Sequence, residues 1–229
     1  MTKEEVRARI QDVGIIPAIR VNSAEDALFA AEAVSDAGIP VVEVTMTVPN
    51  AVEVIRELVR QHPQMVVGAG TALYLDTARR CVDAGATFLT TPGLDHDIVN
   101  FALGRDVVVF PGALTPSEVM SAWKAGCDFV KIFPCFANGG PAYIRTLKLP
   151  FPDIPLIASG GVDQQNAGEF IQAGAIALGI GRHLIHPDAI KRRERGWVQE
   201  LSRRYLQAVR QARIDLQPLR ASPKKESNA

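Results

Sequence analysis

Four times in this chain a segment with helical patterning ends in Ala-Gly and a short apolar strand follows. The junctions are Ala37-Gly38 before Val41-Val42-Glu43-Val44, Ala84-Gly85 before Thr87-Phe88-Leu89-Thr90, Ala125-Gly126 before Phe129-Val130-Lys131, and Ala173-Gly174 before Ile176-Ala177-Leu178. Glycine at that point suits the left-handed residue that closes a helix. A strand that is short, β-rich and mostly apolar is one whose two faces are both covered. The same pattern extends to eight strands, at 15–20, 41–45, 65–69, 87–91, 107–110, 129–132, 155–158 and 176–180. Helical stretches lie between them, at 23–36, 50–61, 75–83, 95–103, 116–124, 141–147 and 163–172. Eight strand–helix alternations in 229 residues predict an α/β chain folded as a (β/α)8 TIM barrel. A doubly wound open sheet is the alternative. It needs a switch-point crevice and usually fewer repeats, and the first turn shows no GxGxxG.

The ends extend this barrel. Thr2 and Glu5 fit a capping box, and Val6, Ile10 and Val13 give an apolar face, so an N-terminal helix is expected to cover the bottom of the barrel. Trp197, Leu201, Tyr205 and Val209 recur at helical spacing and predict a C-terminal helical extension. The run Lys191-Arg192-Arg193-Glu194-Arg195 reads as a solvated helix entry rather than a binding patch. Residues 1–221 are expected to form one barrel domain with its terminal helices, and the polar segment 222–229 a disordered tail.

Charge excludes some partners. With 25 basic and 25 acidic residues there is no general attraction to nucleic acid or to an anionic membrane. The three cysteines, Cys81, Cys127 and Cys135, are odd in number and lack CxxC spacing, so neither a zinc site nor a disulfide framework is expected and a reducing cytoplasm is the default. The N-terminus has no apolar signal-like core, and no apolar run approaches the ~18 residues of a transmembrane helix.

Barrel active sites lie at the C-terminal ends of the strands. Lys131, in Asp128-Phe129-Val130-Lys131-Ile132-Phe133-Pro134, is the unusual residue there. Desolvating an ammonium is costly, and the same low polarity makes a lysine amine partly neutral and nucleophilic toward carbonyls. Alternation puts Val41, Glu43 and Thr45 on one face and Phe129, Lys131 and Phe133 on another. If both faces point inward, Glu43 and Lys131 meet across the barrel, an acid beside an amine. That suits imine chemistry, whereas the plainer reading is a buried ion pair that fills the core.

Other strand-end residues are consistent with anion binding. Arg20 can clamp a carboxylate bidentately, or pair with Glu25 or Asp26 at the rim. Thr71, after Gly68-Ala69-Gly70, can offer its hydroxyl to the same anion, or cap a helix. Ser159-Gly160-Gly161 and Gly179-Ile180-Gly181 follow strands seven and eight, where barrel loops frequently bind phosphate; tight turns alone would also explain the glycines. Of the four histidines, His62, His96, His183 and His186, no pair has metal-site spacing with nearby acids, and only His183 adjoins the phosphate loop.

From Gly14 to Leu184 the chain resembles the 2-keto-3-deoxy-6-phosphogluconate (KDPG) / 4-hydroxy-2-oxoglutarate (KHG) aldolases. The motifs are Ile-Pro-Ala-Ile-Arg20, Val-Glu43-Val-Thr-Met-Thr, Gly68-Ala-Gly-Thr71, Thr-Pro92-Gly-Leu, Phe110-Pro-Gly-Ala, Val-Lys131-Ile-Phe-Pro and Ser159-Gly-Gly-Val. The resemblance implies a class I, metal-independent and cofactor-free aldolase on a (β/α)8 barrel, usually a homotrimer, acting on small 2-keto acids and aldehydes. It implies that Lys131 forms the Schiff base and Glu43 is the general acid/base. Thr71 would hold the pyruvate carboxylate, Pro92 and Phe133 would line the pyruvyl pocket, and Gly160 and Gly161 would belong to the phosphate loop beside Ser159 and Gly181.

Two positions depart from that pattern. Many members carry an arginine four residues after the glutamate, where this chain has Thr47, and Arg20 reads as its replacement. After strand eight a serine usually follows the glycine. Here Gly181 is followed by Arg182, which can grip a phosphate or carboxylate or fill the pocket. Two further readings share the sequence: a barrel epimerase or isomerase acting on a sugar phosphate, and a barrel that binds ligand without turnover.

Overall fold

The structure is a computed structural model that describes residues 1–221; the expected tail at 222–229 lies outside them. Elements alternate throughout: α1 (Lys3–Val13), β1 (Ile15–Ile19), α2 (Ala24–Asp36), β2 (Val41–Thr45), α3 (Ala51–Gln61), β3 (Val66–Gly70), α4 (Leu75–Asp83), β4 (Phe88–Thr90), α5 (His96–Gly104), β5 (Val108–Phe110), β6 (Gly112–Ala113), α6 (Pro116–Lys124), β7 (Val130–Ile132), α7 (Gly140–Lys148), β8 (Leu156–Ser159), α8 (Ala167–Gln172), β9 (Ala175–Ile180), α9 (Pro187–Lys191) and α10 (Arg195–Ala221). All pairings are parallel, in the order β5-β4-β3-β2-β1-β9-β8-β7-β6.

The fold is the (β/α)8 barrel that the repeats predict. The nine strands are eight in substance, because β5 and β6 are one extended run interrupted at Pro111. Asp128 N donates to Val109 O (2.9 Å) and Lys131 N to Pro111 O (3.0 Å), so β7 closes the ring against that run. The four Ala-Gly glycines, Gly38, Gly85, Gly126 and Gly174, all have φ between 86° and 107°. Only a residue without a Cβ takes that conformation freely, which explains why each helix stops where it does.

Phe88, Phe110 and Phe129 fill the barrel interior, with ring centroids 5.2 Å and 6.0 Å apart. Helix α1, capped by the Thr2–Glu5 box, closes the floor as expected and buries Val6 and Ile10. Its anchor is Asp128, at the N-terminal side of β7. The buried carboxylate meets Lys3 Nζ at 3.1 Å and Arg7 Nε at 3.5 Å, and it accepts from Val109 N at 2.9 Å. No described helix is long and apolar enough to cross a membrane.

The remaining differences have local or long-range causes. The predicted helix 163–172 starts only at Ala167, because Asp163 Oδ1 accepts from Gln165 N and Asn166 N and turns the chain first. A 3-10 turn at Phe136–Asn138 and the short α9 carried too little periodicity to be read. The basic run before α10 is not merely solvated: Arg193 pairs with Asp26, and Arg195 with Glu32 and Asp36, so the run clasps the extension onto α2. Both guanidiniums also lie over Phe29, at 4.9 Å and 5.5 Å from its ring centre.

Candidate active site

Residues of β2 and β7 meet inside the C-terminal mouth. Every position of β2 is buried, and Glu43 is 3% exposed. The bare positions beside it make this possible. Glu43 lies in register with Gly68 on β3, and a β-carbon at Gly70 would overlap its carboxylate. Across the ring Lys131 is 8% exposed, with its Nζ 3.8 Å from Glu43 Oε2 and 5.6 Å from the centre of the Phe133 ring. At that separation the pair is close enough for electrostatic coupling but beyond direct hydrogen-bond reach. The amine therefore stays available to a ligand, and the acid is within reach of an atom bonded to it.

Both side chains open into a cavity of about 410 Å³. All eleven predicted site residues line it: Arg20, Glu43, Thr71, Pro92, Lys131, Phe133, Ser159, Gly160, Gly161, Gly181 and Arg182. Thr71 does not cap α4, whose N-cap is Tyr74; it sits at φ 58° where the chain leaves β3 for the mouth. Among the described residues Arg20 makes no ion pair with Glu25 or Asp26, and Asp26 is held by Arg193. Thr47 lies outside this cavity, in a neighbouring one of about 460 Å³, with its hydroxyl 2.7 Å from that of Thr45. Arg182 is exposed at the rim, and the cavity stays open beside it, so it does not plug the mouth.

The loop after β8 is shaped by its neighbours. Gly160 and Gly161 both have φ 87°, and a β-carbon at Gly161 would strike the Phe136 side chain. Phe136 N donates to Gly160 O (2.9 Å), which ties the loop to the segment following Lys131, and Asn166 Nδ2 donates to Gly161 O (3.0 Å) from the start of α8. Gly179 clears space for the Ser159 hydroxyl, which would lie 2.8 Å from a β-carbon there.

Sequence reasoning missed Ala18, Val162 and Pro187 as lining residues, whereas Gly179, read with the loop after strand eight, does line the cavity. Small apolar residues carry no chemical signal and are found only once the ring is assembled. The three cysteines are free and buried away from this cavity's lining, and burial pushes the Cys81 thiol up to about 11 and those of Cys127 and Cys135 to about 12. They are inert structural residues rather than nucleophiles.

Fold and site together define a (β/α)8-barrel enzyme with a buried amine–carboxylate pair at its catalytic mouth. The chain belongs to the KDPG and KHG aldolase family, whose model matches residues 6–201. It is 31% identical over 208 residues to the 2-dehydro-3-deoxy-phosphogluconate aldolase of Pseudomonas aeruginosa, covering 89% of this chain and 94% of that protein. It is 29% identical to the KHG/KDPG aldolase of Escherichia coli, over 86% of this chain and 92% of that one. Among solved structures, the KDPG aldolase of Legionella pneumophila, with pyruvate captured as a covalent carbinolamine intermediate, superposes with a TM-score of 0.81 at 29% identity, over 86% of this chain and 96% of that one.

Proposed function

We propose that this chain is a class I aldolase that reversibly cleaves a 2-keto-4-hydroxy acid to pyruvate and an aldehyde, with Lys131 as the Schiff-base residue and Glu43 as the acid/base. The observation that carries the assignment is the Lys131–Glu43 pair, 3.8 Å apart and buried, facing an open cavity ringed by potential anion binders. A buried pair without function would be a poor use of two charges, because their desolvation offsets most of their attraction.

The geometry supports this chemistry. The amine of Lys131 attacks C2 of the keto acid. Glu43, on the amine's side of the cavity, protonates the departing hydroxyl as the carbinolamine collapses to an iminium and water. Glu43 then takes the proton of the 4-hydroxyl. The C3–C4 electron pair flows into the iminium, which releases the aldehyde and leaves an enamine of pyruvate. Protonation at C3 and hydrolysis return the free lysine. Arg20 and Thr71 hold the donor carboxylate, Pro92 and Phe133 pack against the pyruvyl group, and Ser159, Gly160, Gly161, Gly181 and Arg182 face the aldehyde portion. The aldehyde is glyceraldehyde 3-phosphate, from 2-keto-3-deoxy-6-phosphogluconate, or glyoxylate, from 4-hydroxy-2-oxoglutarate.

The resemblance to the family supports a homotrimer, and the three buried thiols suit a reducing cytoplasm. Borohydride added in the presence of pyruvate should fix a three-carbon adduct on Lys131, read by peptide mass spectrometry. An unlabelled Lys131 in an active enzyme would overturn the assignment.

A further inference from the structure

A second pocket, of about 380 Å³, lies beyond the active-site rim and is lined by Gln164, Arg182, His183, His186, Trp197 and Leu201. It shares Arg182 and His183 with the cavity that holds Lys131, so the two spaces are separated by one dipeptide. We propose that this pocket is an acceptor-extension subsite, which takes the distal end of a hydroxylated aldehyde of four or more carbons bearing a terminal anion. The inference rests on the aldolase reading and adds, beside glyceraldehyde 3-phosphate and glyoxylate, a longer class of acceptor for the same site.

Two exposed guanidiniums beside these spaces are open to an anion from outside the protein. Arg20 ends the run of β1 and Arg182 follows β9, and β1 and β9 are hydrogen-bonded neighbours, so the two guanidiniums rise from adjacent strands. Neither takes part in any ion pair or side-chain hydrogen bond among the described residues. Glu43, the one carboxylate lining the inner cavity, stands against Lys131. With Arg20 on the donor carboxylate, the Arg182 guanidinium is left for a terminal phosphate or carboxylate, which it can bind through two parallel N–H bonds.

The far wall fits what adjoins such an anion. Trp197 leaves 45% of its surface exposed, and its ring centre lies 5.9 Å from that of His186, with the two ring planes at 71°. With Leu201 they form an apolar face for carbon-bound hydrogens, while Gln164 and His183 offer hydrogen-bonding groups to hydroxyls. The turn that carries Arg182 is prebuilt. Leu184 N and Ile185 N both donate to Gly181 O at 2.9 Å, and Tyr205 Oη reaches His183 O at 3.4 Å. Helix α10 thus supplies Trp197 and Leu201 to the wall and Tyr205 to the turn, giving the C-terminal extension a part in choosing the acceptor.

The test compares kcat/KM for addition of pyruvate to glycolaldehyde phosphate and to erythrose 4-phosphate, with glyoxylate and succinic semialdehyde as the two- and four-carbon carboxylate pair. In Trp197→Ala the four-carbon to two-carbon ratio should fall about tenfold, the loss of one well-placed aromatic contact with its hydrogen-bonding neighbours. Trp197→Phe should restore most of it, and Gln164→Ala, in an exposed loop, should lower the ratio in the same direction. The pair of series in which the ratio moves identifies the anion as phosphate or carboxylate. Ratios unchanged in Trp197→Ala and Gln164→Ala would overturn the subsite; should Trp197→Ala fail to fold, Gln164→Ala decides alone. Borohydride trapping of pyruvate on Lys131 is run alongside. An adduct with unmoved ratios removes only the subsite, whereas no adduct removes the aldolase reading and the subsite with it.

Discussion

Gly70 and Glu43 compete for one volume: a side chain of even one carbon at position 70 would overlap the Glu43 carboxylate. The glycine at the end of β3 therefore sets where the proposed acid/base stands although it contributes no functional group. Gly70→Ala should fold, because the strand accepts alanine conformationally, but should lower kcat by about a hundredfold by displacing the acid/base from its station. Steady-state kinetics with a circular dichroism control would check this; an enzyme with unchanged kcat would show that the Glu43 position is not critical.

Glu43→Gln keeps the shape and removes the titrating group. A loss of roughly 10²–10⁴ in kcat is expected, the usual span for general acid–base catalysis. Pyruvate should still be trapped on Lys131 by borohydride, more slowly, since the amine itself is intact. Trapping at the wild-type rate would move the acid/base role to another residue.

Charge burial makes a stability prediction about the same pair. Lys131→Met leaves the Glu43 carboxylate 3% exposed and without its cation, which costs about 3–5 kcal/mol. The double variant Lys131→Met/Glu43→Gln removes that stranded charge and should regain most of the loss while staying inactive. Urea unfolding of the two variants decides it: equal midpoints would mean that the pair contributes nothing electrostatically.

Asp128 works at the opposite end of the barrel, where it holds α1 through Lys3 and Arg7. Asp128→Ala strands two cations and the Val109 N–H, so a destabilisation of about 3 kcal/mol is expected. The kcat at a temperature where the variant stays folded should remain near wild type. A large loss of kcat there would tie the floor to the mouth.

The three thiols give a pH dependence. Their folded pKa values are raised, to about 11 for Cys81 and about 12 for Cys127 and Cys135, while in the unfolded chain they titrate at ordinary thiol values near 8.5. The unfolded state thus loses protons first as pH rises. The stability that comes from keeping the thiols neutral is complete below about pH 8.5 and falls as pH climbs toward the folded values, by up to about 1.4 kcal/mol per pH unit per thiol. Urea midpoints from pH 8 to 10 should decline, and less steeply in a Cys127→Ala protein; the same slope in both would exclude this source.

Local rules made much of the molecule legible. Ala-Gly junctions marked helix ends because four glycines take a φ that other residues avoid, and two-residue alternation turned Glu43 and Lys131 inward. Whatever depends on distant partners was not legible. Arg193 and Arg195 read as solvated because nothing in their own segment reveals that Asp26, Glu32 and Asp36 lie opposite them. The interruption at Pro111 belongs to strand pairing, and Ala18, Val162 and Pro187 belong to the site only through the curvature of the ring.

Pro111 has a consequence for how the enzyme is divided. The chain up to Phe110 supplies β1 to β5 with Glu43, and the chain after it supplies β6 to β9 with Lys131. These two arcs join at the β1–β9 edge and again where Lys131 N bonds Pro111 O. Neither arc holds both members of the proposed catalytic pair. The acid is inherited from one half of the chain and the amine from the other, so turnover reports directly that both seams of the ring have shut.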